Sequence, residues 1–184
     1  MTQQTDTRIH SVPHEVNRLT VDVPDTFQGF RDRYERAVPE VDAGRFEQLI
    51  KDDADWDTVL RATAEGAPHG FLIYWRHDTT SLMRLAGDRW LCVHYLMGNH
   101  TIAQRMFHHD PAVMLYAPLR TEIYQGPDGV TRFAVDQPST RFSSFGNPDI
   151  TRVGLDLDRK LAALLEHLDA PVPAELVQER VSHG

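Results

Sequence analysis

The chain has 184 residues, 41% of them hydrophobic and 25% charged, values that suit one globular domain long enough to bury a substantial core. A formal net charge of −8 without any cluster of Lys and Arg argues against nucleic acid as a main partner, because neutralising phosphates needs a basic face. No apolar run approaches the roughly 18–20 residues of a membrane span, and the polar start Met1–Arg8 lacks the apolar core of a signal peptide, so a cytoplasmic location off the membrane is expected.

Residues 1–14 read as a flexible N-terminal arm, 15–170 as a single domain and 171–184 as a C-terminal tail. Val16 to Val23 alternates apolar and polar residues and predicts a strand. Pro24-Asp25-Thr26 then starts a helix carrying Phe27, Phe30, Tyr34 and Val38, which Pro39 ends. A helical insertion spans about 40–66. Phe46, Leu49 and Ile50 mark its first piece, and Asp55 caps a second with Trp56, Val59, Leu60 and Thr63 on one side.

Gly70 to His77 reads as a strand apolar on both faces, hence central. Thr79 to Asp88 is a short helical or irregular link. Trp90 to Met97 is the next strand, with Trp90, Cys92, His94 and Leu96 on one face and Leu91, Val93, Tyr95 and Met97 on the other. Asn99 caps a helix reaching about His109, whose buried side is Ile102, Ala103, Met106 and Phe107. Pro118 to Tyr124 and Val130 to Gln137 form a hairpin across Gly126-Pro-Asp-Gly129. Asp136-Gln-Pro-Ser139 ends it. Asn147-Pro148-Asp149 then opens a helix to about Leu168 with a continuous apolar stripe. The order is β-α-(helical insertion)-β-β-α-β-β-α. It predicts an α+β domain with a mostly antiparallel sheet of about five strands and helices packed on one face.

Several features between 68 and 168 occur together: Gly98-Asn99 after an apolar strand, the helix through Ala103 and Met106, Asp110-Pro111, Tyr116-Ala-Pro-Leu-Arg120, the hairpin with Gly129, and Asp136-Gln-Pro-Ser139. On these the chain resembles the DUF302 family. The resemblance implies an α+β fold with helices on one antiparallel sheet, and a homodimer, but little about activity. The family's strand-to-helix corner usually reads Gly-Asn-Pro; here His100 stands in place of the proline.

Cys92 is the single cysteine, which excludes an internal disulfide and any multi-cysteine metal site. Histidine is abundant at ten, and six of the ten fall between His69 and His109. That density raises haem or a divalent metal as a cofactor, with His77, His94 or His100 as the ligand, although no HExxH or comparable spacing occurs. Each also has a structural reading as a hydrogen-bonded histidine at the end of an element. His94 and His100 are the catalytic candidates. At a helix N-terminus His100 is disfavoured as a cation; His108 and His109, at the other end, are favoured. A small, partly apolar molecule is the expected ligand, seated between the sheet and the helix starting at Asn99. Asn99, His100, Arg120, Tyr95, Trp75 and Trp90 are its candidate contacts. Cross-strand pairing accounts equally for Arg120 and its charged neighbours. A non-catalytic dimerising domain is the third reading.

Overall fold

The computed structural model describes residues 9–177. Leu19, Val21 and Val23 alternate with exposed residues and make the inward face of β1 (Arg18–Val23). Thr26 caps α1 (Phe27–Ala37) by accepting the Gly29 N–H, and Phe27, Phe30 and Tyr34 form its buried stripe. The insertion folds into α2 (Ala43–Lys51) and α3 (Trp56–Gly66), capped by Asp42 and Asp55. No residue of α2 is buried, so this pair stays at the periphery of the core.

β2 (Leu72–Asp78), α4 (Thr80–Arg84), β3 (Leu91–Gly98) and α5 (His100–Phe107) follow. A 3-10 turn (Pro111–Leu115) leads into the hairpin of β4 (Leu119–Gln125) and β5 (Thr131–Asp136), then α6 (Pro138–Phe142) and α7 (Pro148–His167). The five strands form one antiparallel sheet in the order β1-β5-β4-β3-β2. The expected α+β class is thus the observed one.

Helices cover one face of the sheet. Val93, Tyr95, Met97, Thr121, Ile123 and Phe133 point into that layer and are fully buried. There they meet Phe30 and Tyr34 of α1 and the apolar stripe of α7. Asn147 starts α7 by accepting the N–H groups of Asp149 and Ile150, with Pro148 in the first turn. Ile150, Leu157, Leu161, Leu164 and Leu165 follow at helical spacing, each worth about 1.5–3 kcal/mol relative to exposure. Among the described residues the opposite face of the sheet carries no helix layer, and it presents Thr20, Arg120, Glu122, His94, Trp75 and His77 to solvent or partial solvent.

Three expectations need correction or extension. β2 is an edge strand, not a central one. A bulge between Ile73 and Trp75 resets its alternation. Its inward apolar residues are covered by helices instead of a further strand. Residues 39–41 take up the outer edge at one point, where the Ile73 N–H donates to the Pro39 carbonyl (2.8 Å) and the Val41 N–H to the Ile73 carbonyl (2.9 Å). Second, 136–139 ends β5 at Asp136, as expected, but is no plain loop, because Pro138 opens α6. That helix packs tightly on α7, where a Cβ at Gly154 would come within 3.0 Å of the Ser139 Cα. Third, Phe107 is 48% exposed, because one further residue turns about 100° past the buried Met106.

Candidate functional site

Gly98 ends β3 where a Cβ would stand 3.2 Å from the Pro118 Cα, so the chain needs glycine to turn this corner. Asn99 then caps α5. Its Oδ1 accepts the N–H groups of Thr101 (2.9 Å) and Ile102 (3.3 Å), and its Nδ2 donates to the Gly70 carbonyl (3.0 Å). The amide is committed at both ends to holding α5 on the residues before β2.

His100 follows at the first helical position and faces the α2–α3 insertion. The Tyr74 hydroxyl lies 3.0 Å from the His100 backbone nitrogen and 2.7 Å from Nδ1; Thr63 Oγ1 lies 2.7 Å from Nε2. Thr63 also donates to the Val59 carbonyl at 2.8 Å. One proton arrangement satisfies every group. The His100 N–H donates to the Tyr74 oxygen, the Tyr74 O–H donates to Nδ1, Nε2–H donates to Thr63, and Thr63 donates to Val59. The other neutral tautomer leaves the Tyr74 proton without an acceptor among the described residues. Burial holds the His100 imidazole below its ordinary value and raises the Tyr74 phenol, so both stay neutral near pH 7. The Phe46 ring meets the imidazole edge-on with centroids 4.4 Å apart.

Above this network is a solvent-open cavity of about 410 Å³, as open as the groove beside Arg120, with almost wholly apolar walls. Phe46 and Ile50 come from α2, Trp56 and Val59 from α3, and Tyr74 and His100 form the floor. Ile50 (79%) and Trp56 (44%) are the exposed apolar residues at its mouth.

The remaining expected site residues lie elsewhere. His94, Arg120 and Trp75 project from the helix-free face of the sheet, while His100 lies on the insertion side, so His94, His100 and Arg120 do not share one pocket. His94 sits directly across from His77 on one side and Glu122 on the other. Its Nδ1 is 2.5 Å from Glu122 Oε1, so Nδ1 is the nitrogen that donates to the carboxylate. Trp75 packs edge-on to His94 (5.4 Å) and stacks on His77 (5.6 Å). The Cys92 thiol donates to Glu122 Oε2 at 3.4 Å; burial foremost, then the nearby Glu122 carboxylate, pushes it up to about 11. Arg120 is exposed and its guanidinium has no hydrogen-bond or salt-bridge partner among the described residues; it borders an open groove of about 420 Å³ with Glu122, Tyr124 and Asp136. Trp90, 46% exposed, packs against Tyr124 and the hairpin at Gly126. Tyr95 is in the core and donates to Glu35 at 2.8 Å. No group of three or more His, Cys, Asp or Glu among the described residues is placed to hold a metal ion.

The family model for DUF302, a domain of unknown function, matches residues 52–168. The chain belongs to the DUF302 family. The match takes in α3 and everything from β2 to the end of α7, while β1, α1 and α2 precede it. The chain also resembles the crystal structure of an uncharacterized conserved DUF302 protein from Bacillus stearothermophilus, at 19% identity and a TM-score of 0.59. That likeness covers 82% of this chain and 97% of the other and speaks to the DUF302 fold alone. No curated protein matches the chain.

The sequence points to the Asn99 helix and not to the insertion residues that line the cavity beside it. In the sequence, Phe46, Trp56 and Val59 mark only the apolar sides of the insertion's two helices. The available signal was that α2 and α3, at 9 and 11 residues, each carry a large apolar stripe. Glu122, the partner of His94, becomes visible only once the β3–β4 register is known. No helix among the described residues is long and apolar enough to cross a membrane.

Proposed function

We propose that this DUF302 protein binds a small, largely apolar molecule in the cavity between the α2–α3 insertion, β2 and the start of α5. The observation that carries this reading is the cavity itself, of about 410 Å³, within the range of small-molecule sites and almost free of polar lining. The Tyr74–His100–Thr63 network supports it. That network satisfies its polar groups internally, so it supplies a rigid, uncharged floor that an apolar ligand can cover without stranding a donor. His100 and Tyr74 are then binding residues, and Asn99 holds the helix that carries them.

The neutral fluorophore N-phenyl-1-naphthylamine tests this. Its emission should rise saturably with one site per chain, and Val59→Trp, which fills the cavity, should abolish the response while leaving the melting temperature near that of the wild type. An unchanged response in Val59→Trp refutes the assignment.

A second reading rests on His94. Glu122 engages Nδ1 and leaves Nε2 for another partner, the arrangement of a general base or a single axial ligand to haem. A Soret band in protein grown with haem precursor, lost in His94→Ala, is the expected sign; its absence removes haem. We also propose a homodimer, for which light scattering should give twice the chain mass of 21.0 kDa.

A further inference from the structure

The cavity's chemistry also carries information on the charge of its occupant. Three of its walls are aromatic: Phe46, Trp56 and Tyr74. Besides His100 and the Tyr74 phenol, the ionisable residue among those lining it is the solvent-exposed Glu47 of α2. The insertion that forms most of it, residues 40–66, holds eight acidic and three basic side chains and so carries −5 of the chain's −8. One of those basic groups, Arg45, is already paired with Glu65 at 2.6 Å. His100 adds no opposing charge, because burial keeps it neutral and both ring nitrogens are engaged.

Aromatic faces with a carboxylate nearby attract a cation whose own surface is greasy. The negative faces of the rings draw the charge, and a quaternary ammonium brings no N–H donors that apolar walls would leave unsatisfied. A hard metal ion or a primary amine needs oxygen acceptors that these walls lack. An anion would face the acidic insertion.

We propose that the cavity selects an organic cation of the alkyl- or arylammonium class, seated against Phe46, Trp56 and Tyr74 with Glu47 at its rim. This rests on the reading of the cavity as a small-molecule site, and the experiment separates the two.

Benzyltrimethylammonium and its carbon isostere neopentylbenzene have the same shape and differ in charge; benzoate supplies the opposite charge. Binding is followed in low salt on the intact chain by the shift of the Trp56 indole N–H and by titration calorimetry. The cation should bind roughly tenfold more tightly than the isostere, benzoate should not bind, and added salt should weaken the cation. Glu47→Gln and Trp56→Ala, both at solvent-accessible positions, should each reduce cation affinity severalfold while leaving the circular dichroism unchanged. If the isostere binds as tightly as the cation, the charge selection is wrong and the cavity reading stands. If neither binds at millimolar concentration and no signal near Trp56 or His100 moves, both fail.

Discussion

Tyr74→Phe removes one oxygen and keeps the ring that lines the cavity. That oxygen accepts the His100 N–H at 3.0 Å and holds Nδ1 at 2.7 Å. At about 0.5–1.5 kcal/mol net for each hydrogen bond, the loss is about 1–3 kcal/mol. The upper half of that range applies if water does not reach the freed groups, which sit between α3 and β2. In a domain of this size each kcal/mol lowers Tm by about 2–4 °C, so calorimetry near pH 7.5 should find a drop of about 2–12 °C. The variant should also release the tautomer preference of His100, readable in the nitrogen chemical shifts of its ring. A Tm within about 1 °C of the wild type, together with an unchanged tautomer, would refute the network as described.

The same histidine sets a pH dependence. Burial depresses His100 below 6.5, so as pH falls through that value the unfolded chain takes up a proton that the folded chain refuses. Stability therefore falls with decreasing pH from about 6.5 down to the folded value and levels off below it, with a slope of at most about 1.4 kcal/mol per pH unit for one proton. His69, lowered by burial and by His167, adds a slope of the same sign, so the difference between wild type and His100→Gln in urea titrations isolates His100. Asp158, buried on α7, accepts the Ser139 N–H (2.9 Å) and the Gln137 amide (2.8 Å); Asp158→Ala should destabilise by about 3 kcal/mol, seen as a lower urea midpoint. Gly98→Ala should cost about 1–3 kcal/mol in the same measurement, from the contact with Pro118. The Cys92 thiol, pushed up to about 11, should react with a thiol reagent at pH 8 far more slowly than free cysteine, and reach the free rate on unfolding.

Local signals carried the elements that local chemistry decides. Asn147-Pro148 with seven apolar residues at helical spacing specified α7, and Gly126-Pro-Asp-Gly129 specified the β4–β5 hairpin, because cap, proline and turn residues act within a few positions of themselves. The position of β2 was hidden. Apolarity on both faces reads the same whether a strand or a helical insertion supplies the cover, and the bulge at Tyr74 shifted which side chains face inward. The sequence offers His94 and His100 together as contacts of one site. Yet the strict alternation of Val93, Tyr95 and Met97 inward already sends His94 to the far face, and the Gly98-Asn99 corner turns His100 toward the insertion. The cavity walls depend on how α2 and α3 fold back over β2, a tertiary fact that no window of sequence contains.

The contact between residues 39–41 and Ile73 ties the insertion to the sheet at β2, one of its two edge strands. An unblocked edge of this kind is a template for adding strands from other molecules, so the same three residues that hold up one wall of the cavity also act as a guard against aggregation. Trimming the insertion to make a minimal domain would therefore uncover the outer edge of β2 at Ile73.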